Sequence, residues 1–377
     1  MSQNQIVLVA NTGWYLYNFR FSLAQKLIKQ GYRVTFVSPS DEYVHYFARA
    51  GCQHIPWQVN RRFASLFGEL RAIERLAEIY RTVRPFLVHH FTIKPVLYGS
   101  FAAKYARVPK VVNSITGRGY VFLEGEKRPL FLTPLVHLMY RLAYFRLNAV
   151  SLFENEYDMQ FFIRSGLIPQ KNTWLINGAG VNTSVFCYKP EQTAAVPMVV
   201  FPGRLLWSKG VDTLIAAARL LRERVKVRMV LVGKPDSGNP SSVTEQDIQN
   251  WVAEDLVEWW GWESDMPAVY QQAHVVVLPS LGEGLSKALL EAASCGRPII
   301  TTDVPGCRDL VQNGVNGFLI PPGNAAVLAD RIEQLAHSPE LRQAMGLAGR
   351  ELIERKYSEE IVDSMQLAVY QRFMGEV

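Results

Sequence analysis

The chain has 377 residues, 49% hydrophobic and 20% charged, with a formal net charge of +6. That length and balance fit two ordinary globular domains and exclude a low-complexity chain. The four cysteines, Cys52, Cys187, Cys295 and Cys307, show no close metal spacing, so free thiols in a reducing cytoplasm are expected.

Met1 to Gln5 lead straight into an apolar run at 6–10, with no secretory signal expected. Further strand-like runs at 33–38, 87–91, 110–115 and 147–152 alternate with helical stretches such as 19–30 and 69–81. The second half repeats the pattern, with strands predicted at 198–201, 228–233, 257–260, 275–278 and 298–301. Alternation of this kind implies parallel sheets, whose ligands bind beyond the C-terminal strand ends. A polar stretch near 187–197, with Pro190 and Pro197, marks the expected domain boundary, and a helical run is predicted over 359–374.

The first strand leads into Asn11–Arg20, where Gly13 lets backbone approach a ligand closely; an ordinary strand-to-helix turn is the alternative. At the end of 87–91 stand His89, His90, Phe91, Thr92, Ile93 and Lys94. Strand alternation places His89 and Phe91 on one face and His90 on the other. Residues 116–122 form another glycine-rich strand-end loop. The segment 127–146 is rich in Leu, Phe, Met and Tyr, but Lys127, Arg128, Arg141 and Arg146 exclude a comfortable membrane span. An amphipathic interfacial helix is expected, with Pro129 in its first turn and Pro134 as a break or restart; a core helix with snorkelling arginines is the alternative. The run Gly178–Thr183 imitates a dinucleotide fingerprint, but it lies far from the first strand–helix unit and lacks the sixth small residue.

Two later loops carry the chemistry. Gly203-Arg204-Leu205-Leu206-Trp207-Ser208-Lys209-Gly210 joins a strand to a helix, so two cations converge where a diphosphate could sit. Glu283 and Glu291 stand in a second strand–loop–helix junction. Read as helical, they lie within about 80° of each other, two turns apart. The loop's N–H groups and the helix dipole favour phosphate, while carboxylates suit hydroxyls, a combination that suggests a nucleotide sugar. The bland reading of the pair is a helix start favoured by the dipole and a solvated face.

Charge is unevenly spread: residues 1–190 hold 23 Lys and Arg against 10 Asp and Glu, and residues 191–377 hold 17 against 24. A basic first half points to an anionic partner. No nucleic-acid motif is present, so an anionic membrane surface and a pyrophosphate-bearing acceptor are expected instead.

The Gly-Arg-Leu-x-x-x-Lys-Gly loop followed by Glu-x7-Glu resembles the donor site of the retaining family 4 glycosyltransferases. The runs at 177–182, 295–298 and 313–321 agree with it. The resemblance implies the GT-B fold: two Rossmann-like α/β domains facing across a cleft, 1–187 and 188–358, with 359–377 returning as a helix to the first. It implies charge stabilisation by Arg204 and Lys209, Glu283 on donor sugar hydroxyls and Glu291 on the ribose. Gly13, Gly203 and the backbone of Gly284, Leu285 and Ser286 would meet the donor. Tyr15, Asn18, Arg20, Thr92 and Lys94 are the implied acceptor contacts, Arg20 being suited to a pyrophosphate. Family members often carry a His-x-His-like run where Phe91 here takes the second position, which leaves open whether either imidazole takes part. The chain looks like bacterial enzymes that extend undecaprenyl-diphosphate-linked sugars from UDP-N-acetylhexosamines, without metal or cofactor, at the inner face of the cytoplasmic membrane. A soluble-acceptor glycosyltransferase, a related epimerase and a non-catalytic sugar-nucleotide-binding subunit are the alternatives.

Overall fold

Apolar runs with few polar interruptions become buried parallel strands, and the segments between them fold back as helices. The computed structural model describes residues 4–59, 65–118, 122, 132–236, 238–239 and 241–375. The chain divides into two units, Met1–Ala179 with Val362–Val377, and Gly180–Ile361.

In the first unit the order is β1 Gln5–Val9, α1 Gly13–Lys29, β2 Arg33–Ser38, α2 Val44–Arg49 and β3 Gln53–Pro56. Then come α3 Leu66–Val83, β4 Leu87–Phe91, α4 Ile93–Ala106 and β5 Lys110–Ile115. α5 Leu132–Tyr144, β6 Ala149–Phe153, α6 Glu156–Arg164 and β7 Thr173–Leu175 complete the stretch. Among the described residues these strands form one parallel sheet, ordered β3-β2-β1-β4-β5-β6-β7. Side chains alternate across it: Val7, Val9 and Val88 join one core, while Ile6, Leu8 and Leu87 join another on the opposite face.

The second unit runs β8 Met198–Pro202, α7 Val211–Leu221, β9 Arg228–Val232, α8 Glu245–Ala253, β10 Glu258–Gly261 and α9 Met266–Gln272. It continues through β11 Val275–Leu278, α10 Lys287–Ser294, β12 Ile299–Thr302, β13 Gly317–Ile320, α11 Ala325–Ala336 and α12 Pro339–Leu352. Its parallel sheet is ordered β10-β9-β8-β11-β12-β13. A final helix, α13 Glu359–Met374, places Val362, Leu367, Val369 and Tyr370 in the core that holds Ile6 and Leu8.

Three differences from the sequence reading have local causes. α1 starts at Gly13, not Phe19, because the Thr12 side chain accepts the Tyr15 N–H at 3.1 Å and opens the helix early. β3, β7 and β13 were not expected; each is a short sheet edge, and β3 and β7 are only partly buried. Pro134 does not break α5, since it falls in the first turn, where its missing N–H removes no intrahelical bond. Lys127, Arg128, Pro129, Gly119 and Tyr120 lie outside the described residues. Among the described residues no helix is long and apolar enough to cross a membrane.

Candidate active site

The β8–α7 loop is shaped by glycine. Gly203 (φ 130°) donates its N–H to the Val232 carbonyl at 2.8 Å. Gly210 (φ 76°) sits so close to the next loop that a Cβ would lie 2.0 Å from the Pro279 carbonyl oxygen. A side chain at that position is doubly forbidden, by φ and by space. The contact seats this loop against the one that follows β11, and Leu281 N–H adds a bond to the Ser208 carbonyl at 2.9 Å.

That seating brings the two motifs together across 74 residues of sequence: Lys209 Nζ donates to Glu283 Oε1. Arg204 Nη1 donates to Asp236 Oδ2 at 2.8 Å, with the arginine side chain 50% exposed. A pair so open to water contributes only about 0–1 kcal/mol, so Arg204 is cheaply released to another anion.

Glu283 is not on a helix. α10 begins at Lys287, and Glu283 lies in the loop approach between Gly282 and Gly284, so the helical angle between the two carboxylates does not apply. The loop is held by Glu283 N–H to the Pro305 carbonyl at 3.4 Å and by Gly306, whose Cβ would meet the Glu283 carbonyl oxygen at 2.4 Å. Gly284 and Leu285 stay in that approach, and Ser286 is the buried N-cap of α10. The Ser286 side chain makes no capping hydrogen bond at the start of α10.

Glu291, one turn into α10, accepts from Tyr270 Oη at 3.2 Å. Burial pushes its carboxyl up to about 7, against the pull of Lys287 and the tyrosine hydroxyl. Lys287 Nζ donates to the Gly180 carbonyl at 2.9 Å and lies 3.8 Å from Glu359 Oε1.

The strand ends of the first unit are organised differently. Gly13 is the first residue of α1, and a Cβ there would lie 2.4 Å from Asp41 Oδ1. Asp41 accepts from Trp14 N–H at 2.8 Å and Tyr43 N–H at 3.1 Å, so a carboxylate already occupies that helix start. Arg20 is buried: it donates to Tyr15 Oη at 3.0 Å, lies 3.6 Å from Glu154 Oε1 and stacks 4.5 Å over Phe91. Asn18 turns back to the Trp14 carbonyl at 2.9 Å. Lys94 chelates Glu69 at 2.8 and 3.0 Å, and Tyr98 donates to the same carboxylate at 2.6 Å.

Thr92 is the outlier. Its φ is 71°, rare for a β-branched residue, and its Oγ1 is buried with no hydrogen-bond partner among the described residues. Next to it, both imidazoles are satisfied. His89 pairs with Tyr370 Oη and with Ser114 Oγ at 2.7 Å; His90 pairs with Tyr80 Oη and Asn113 Oδ1, each at 2.8 Å. Burial holds His89 well below the ordinary histidine range and His90 at about 4, so both are neutral at physiological pH. Sequence reasoning missed Asp41, Glu69, Asp236 and Tyr270, because each reaches its partner from a distant element and sits in no recognisable run.

Comparison with known proteins agrees with this geometry. The family model for group 1 glycosyl transferases matches residues 196–338, which include both motif loops, and the 4-like glycosyl transferase model matches residues 5–151. EpsD of Bacillus subtilis, itself described as a glycosyltransferase, is 30% identical over 319 residues, 81% of each chain. The N,N'-diacetylbacillosaminyl-diphospho-undecaprenol alpha-1,3-N-acetylgalactosaminyltransferase of Campylobacter jejuni is 25% identical over 99% of this chain and 100% of its own. HepE of Anabaena, solved in complex with UDP and glucose, superposes with a TM-score of 0.78 at 18% identity, covering 97% and 99% of the two chains. Two parallel sheets, a loop that carries an arginine and a lysine at one strand end and meets a glutamate from the next, and these matches agree: the chain belongs to the group 1, 4-like glycosyltransferases of GT-B fold.

Proposed function

We propose that the protein moves an N-acetylhexosamine from a UDP-sugar to a polyprenyl-diphosphate-linked saccharide, with retention at the anomeric carbon and without a metal ion. The observation that carries this is the joining of the Arg204–Lys209 loop to the Glu283 loop beside the start of α10. The UDP-bound HepE and the lipid-linked acceptor named for the Campylobacter relative support the two substrate classes.

In this reading the second unit takes the donor. As the glycosyl–phosphate bond breaks, negative charge builds on the leaving β-phosphate. Arg204 leaves Asp236 for that phosphate, Lys209 stays between phosphate and Glu283, and backbone N–H groups of Gly284, Leu285 and Ser286 complete the cradle. Preorganised charge of this kind is commonly the largest contribution to rate. Glu283 orients sugar hydroxyls, and Glu291, oriented by Tyr270, accepts from the ribose. The acceptor hydroxyl attacks from the leaving group's side and passes its proton to the departing phosphate oxygen. The first unit takes the acceptor, with Thr92 Oγ1 and Arg20 Nε among its buried polar atoms that have no partner among the described residues.

The first unit also carries a surface suited to a bilayer. Leu135, Leu138, Leu142 and Phe145 are all exposed along α5 and its end, with Arg141 and Arg146 beside them, which fits an interfacial helix on anionic lipid. Replacing Leu138 and Leu142 by Asp should lower sedimentation with anionic liposomes several-fold.

The deciding experiment mixes the protein, a short-chain prenyl-diphosphate sugar and a panel of nucleotide sugars, and reads product mass and free nucleotide. One added hexosamine with UDP released supports the proposal; activity on water-soluble sugars alone overturns the lipid-linked acceptor. Activity lost in EDTA and restored by magnesium or manganese overturns metal independence.

A further inference from the structure

Within the first unit, at the end of the sheet away from the strand C-termini, the last turns of α3 and α4 flank an open recess of about 420 Å³. Its volume falls in the range of small-molecule sites, about 300–1,000 Å³. Arg81, Arg84 and Arg107 line it, with Tyr80, Pro85 and Pro109 among the floor residues. Pro85 and Pro109 come just before β4 and β5, so the recess lies opposite the end where ligands of such sheets bind.

Among the described residues none of the three arginines makes an ion pair, and Arg81 instead lies 4.4 Å over the Tyr105 ring. Glu78, one turn before Arg81, pairs with Arg75 at 2.8 Å. The C-termini of α3 and α4 end at the recess, and each contributes about −0.5 of a charge at its end. Two such ends offset about one of three guanidinium charges, so helix capping does not account for the cluster.

The backbone adds an independent observation. Arg84 and Arg107 are the C-caps of α3 and α4, with φ of 51° and 56° in the left-handed region. Glycine holds that conformation without strain and a long side chain does not. At both positions the fold keeps a cation where a glycine would relax the backbone.

We propose that this recess is an anion site, separate from the transfer chemistry, that takes a phosphate group carried on an apolar or planar body. Guanidinium forks match phosphate oxygens in pairs, and the proline floor suits an apolar attachment. Two sources share that chemistry: the headgroup of an anionic phospholipid, and a soluble phosphorylated metabolite or nucleotide.

The test compares the wild-type protein with a variant carrying Arg84→Gly and Arg107→Gly, which removes two cations and keeps the backbone conformation. Inorganic pyrophosphate is titrated calorimetrically into each. The donor loops of the second unit are the same in both proteins, so any difference belongs to the recess. Loss of one binding event, or at least tenfold weaker binding at it, is expected; superimposable isotherms overturn the proposal. Arg81→Gln, an exposed helical substitution, gives the same comparison should the double variant fold poorly. Flotation with phosphatidylglycerol–phosphatidylcholine vesicles, against phosphatidylcholine alone and with Leu138→Asp and Leu142→Asp present in both proteins to remove the α5 contribution, then assigns the source. A variant that loses pyrophosphate and vesicles together identifies the lipid headgroup, and one that loses pyrophosphate but floats as wild type identifies the soluble anion.

Discussion

The two units share a parallel-sheet plan and treat charge at their strand ends in opposite ways. In the first, Arg20 is buried against Glu154 and Tyr15, Lys94 is held by Glu69, and the start of α1 is filled by Asp41. In the second, Arg204 is half exposed on a weak pair, and the Ser286 side chain makes no capping bond to α10. The difference teaches that a cation near a strand end is informative only once its partners are known. Where the cation is buried with its partner, as at Arg20 and Glu154, the charge serves the fold; where it reaches water, as at Arg204, it can turn to a ligand.

Substitutions can break that comparison. Arg20→Met should destabilise by on the order of 3 kcal/mol, since it takes a guanidinium from a buried carboxylate and a tyrosine hydroxyl, and the urea midpoint would report it. Wild-type stability with impaired transfer would instead move Arg20 into the chemistry. Arg204→Ala should do the reverse, lowering the transfer rate by roughly 10²–10³ with little change in melting temperature, because its side chain is half exposed.

Glu291 sharpens the contrast through pH. Its folded pKa of about 7 lies above the ordinary 4.5, so the fold favours its neutral form. No penalty exists below 4.5; it grows as pH rises and is complete above 7. Glu291→Gln should therefore gain stability relative to wild type across that window, by on the order of 2 kcal/mol after allowing for partial exposure. UDP affinity should move the other way, rising in wild type as the carboxylate forms near pH 7 and staying flat in the variant. Equal stability profiles would show that the fold does not raise the Glu291 pKa. The smallest effect is expected at Asp41→Ala, which should cost about 1 kcal/mol through the lost acceptor for Trp14 and Tyr43 N–H groups, read as a modest drop in melting temperature.

Most central strands were legible because a strand buried on both faces must be apolar along its length, as at 275–278. The edges were not: Gln53–Pro56 and Thr173–Leu175 are half wet and carry polar residues. In the second unit the loop after β8 could be read because its cations and glycines sit within one run, Gly203 to Gly210, and the glycine spacing records the close approach of backbones. The placement of Glu283 was misjudged because Gly282 and Gly284 delay the helix to Lys287, an effect of tertiary packing on Gly306 that no periodicity reveals. Asp41 and Glu69 were illegible, since a lone acid carries no signal until the fold brings it to a helix start or a lysine.

The first unit is built from two stretches of chain with the whole of the second unit between them. α13 covers one face of its sheet, with Tyr370 bonded to His89 and Val362 and Leu367 in the core. On the ribosome, residues up to 179 emerge without that cover, while the contiguous stretch 180–361 can complete its own core. At typical elongation rates the open sheet face waits roughly ten to forty seconds for its last helix. The protein is thus born with its first half unfinished, and that interval is where a chaperone would have most to do.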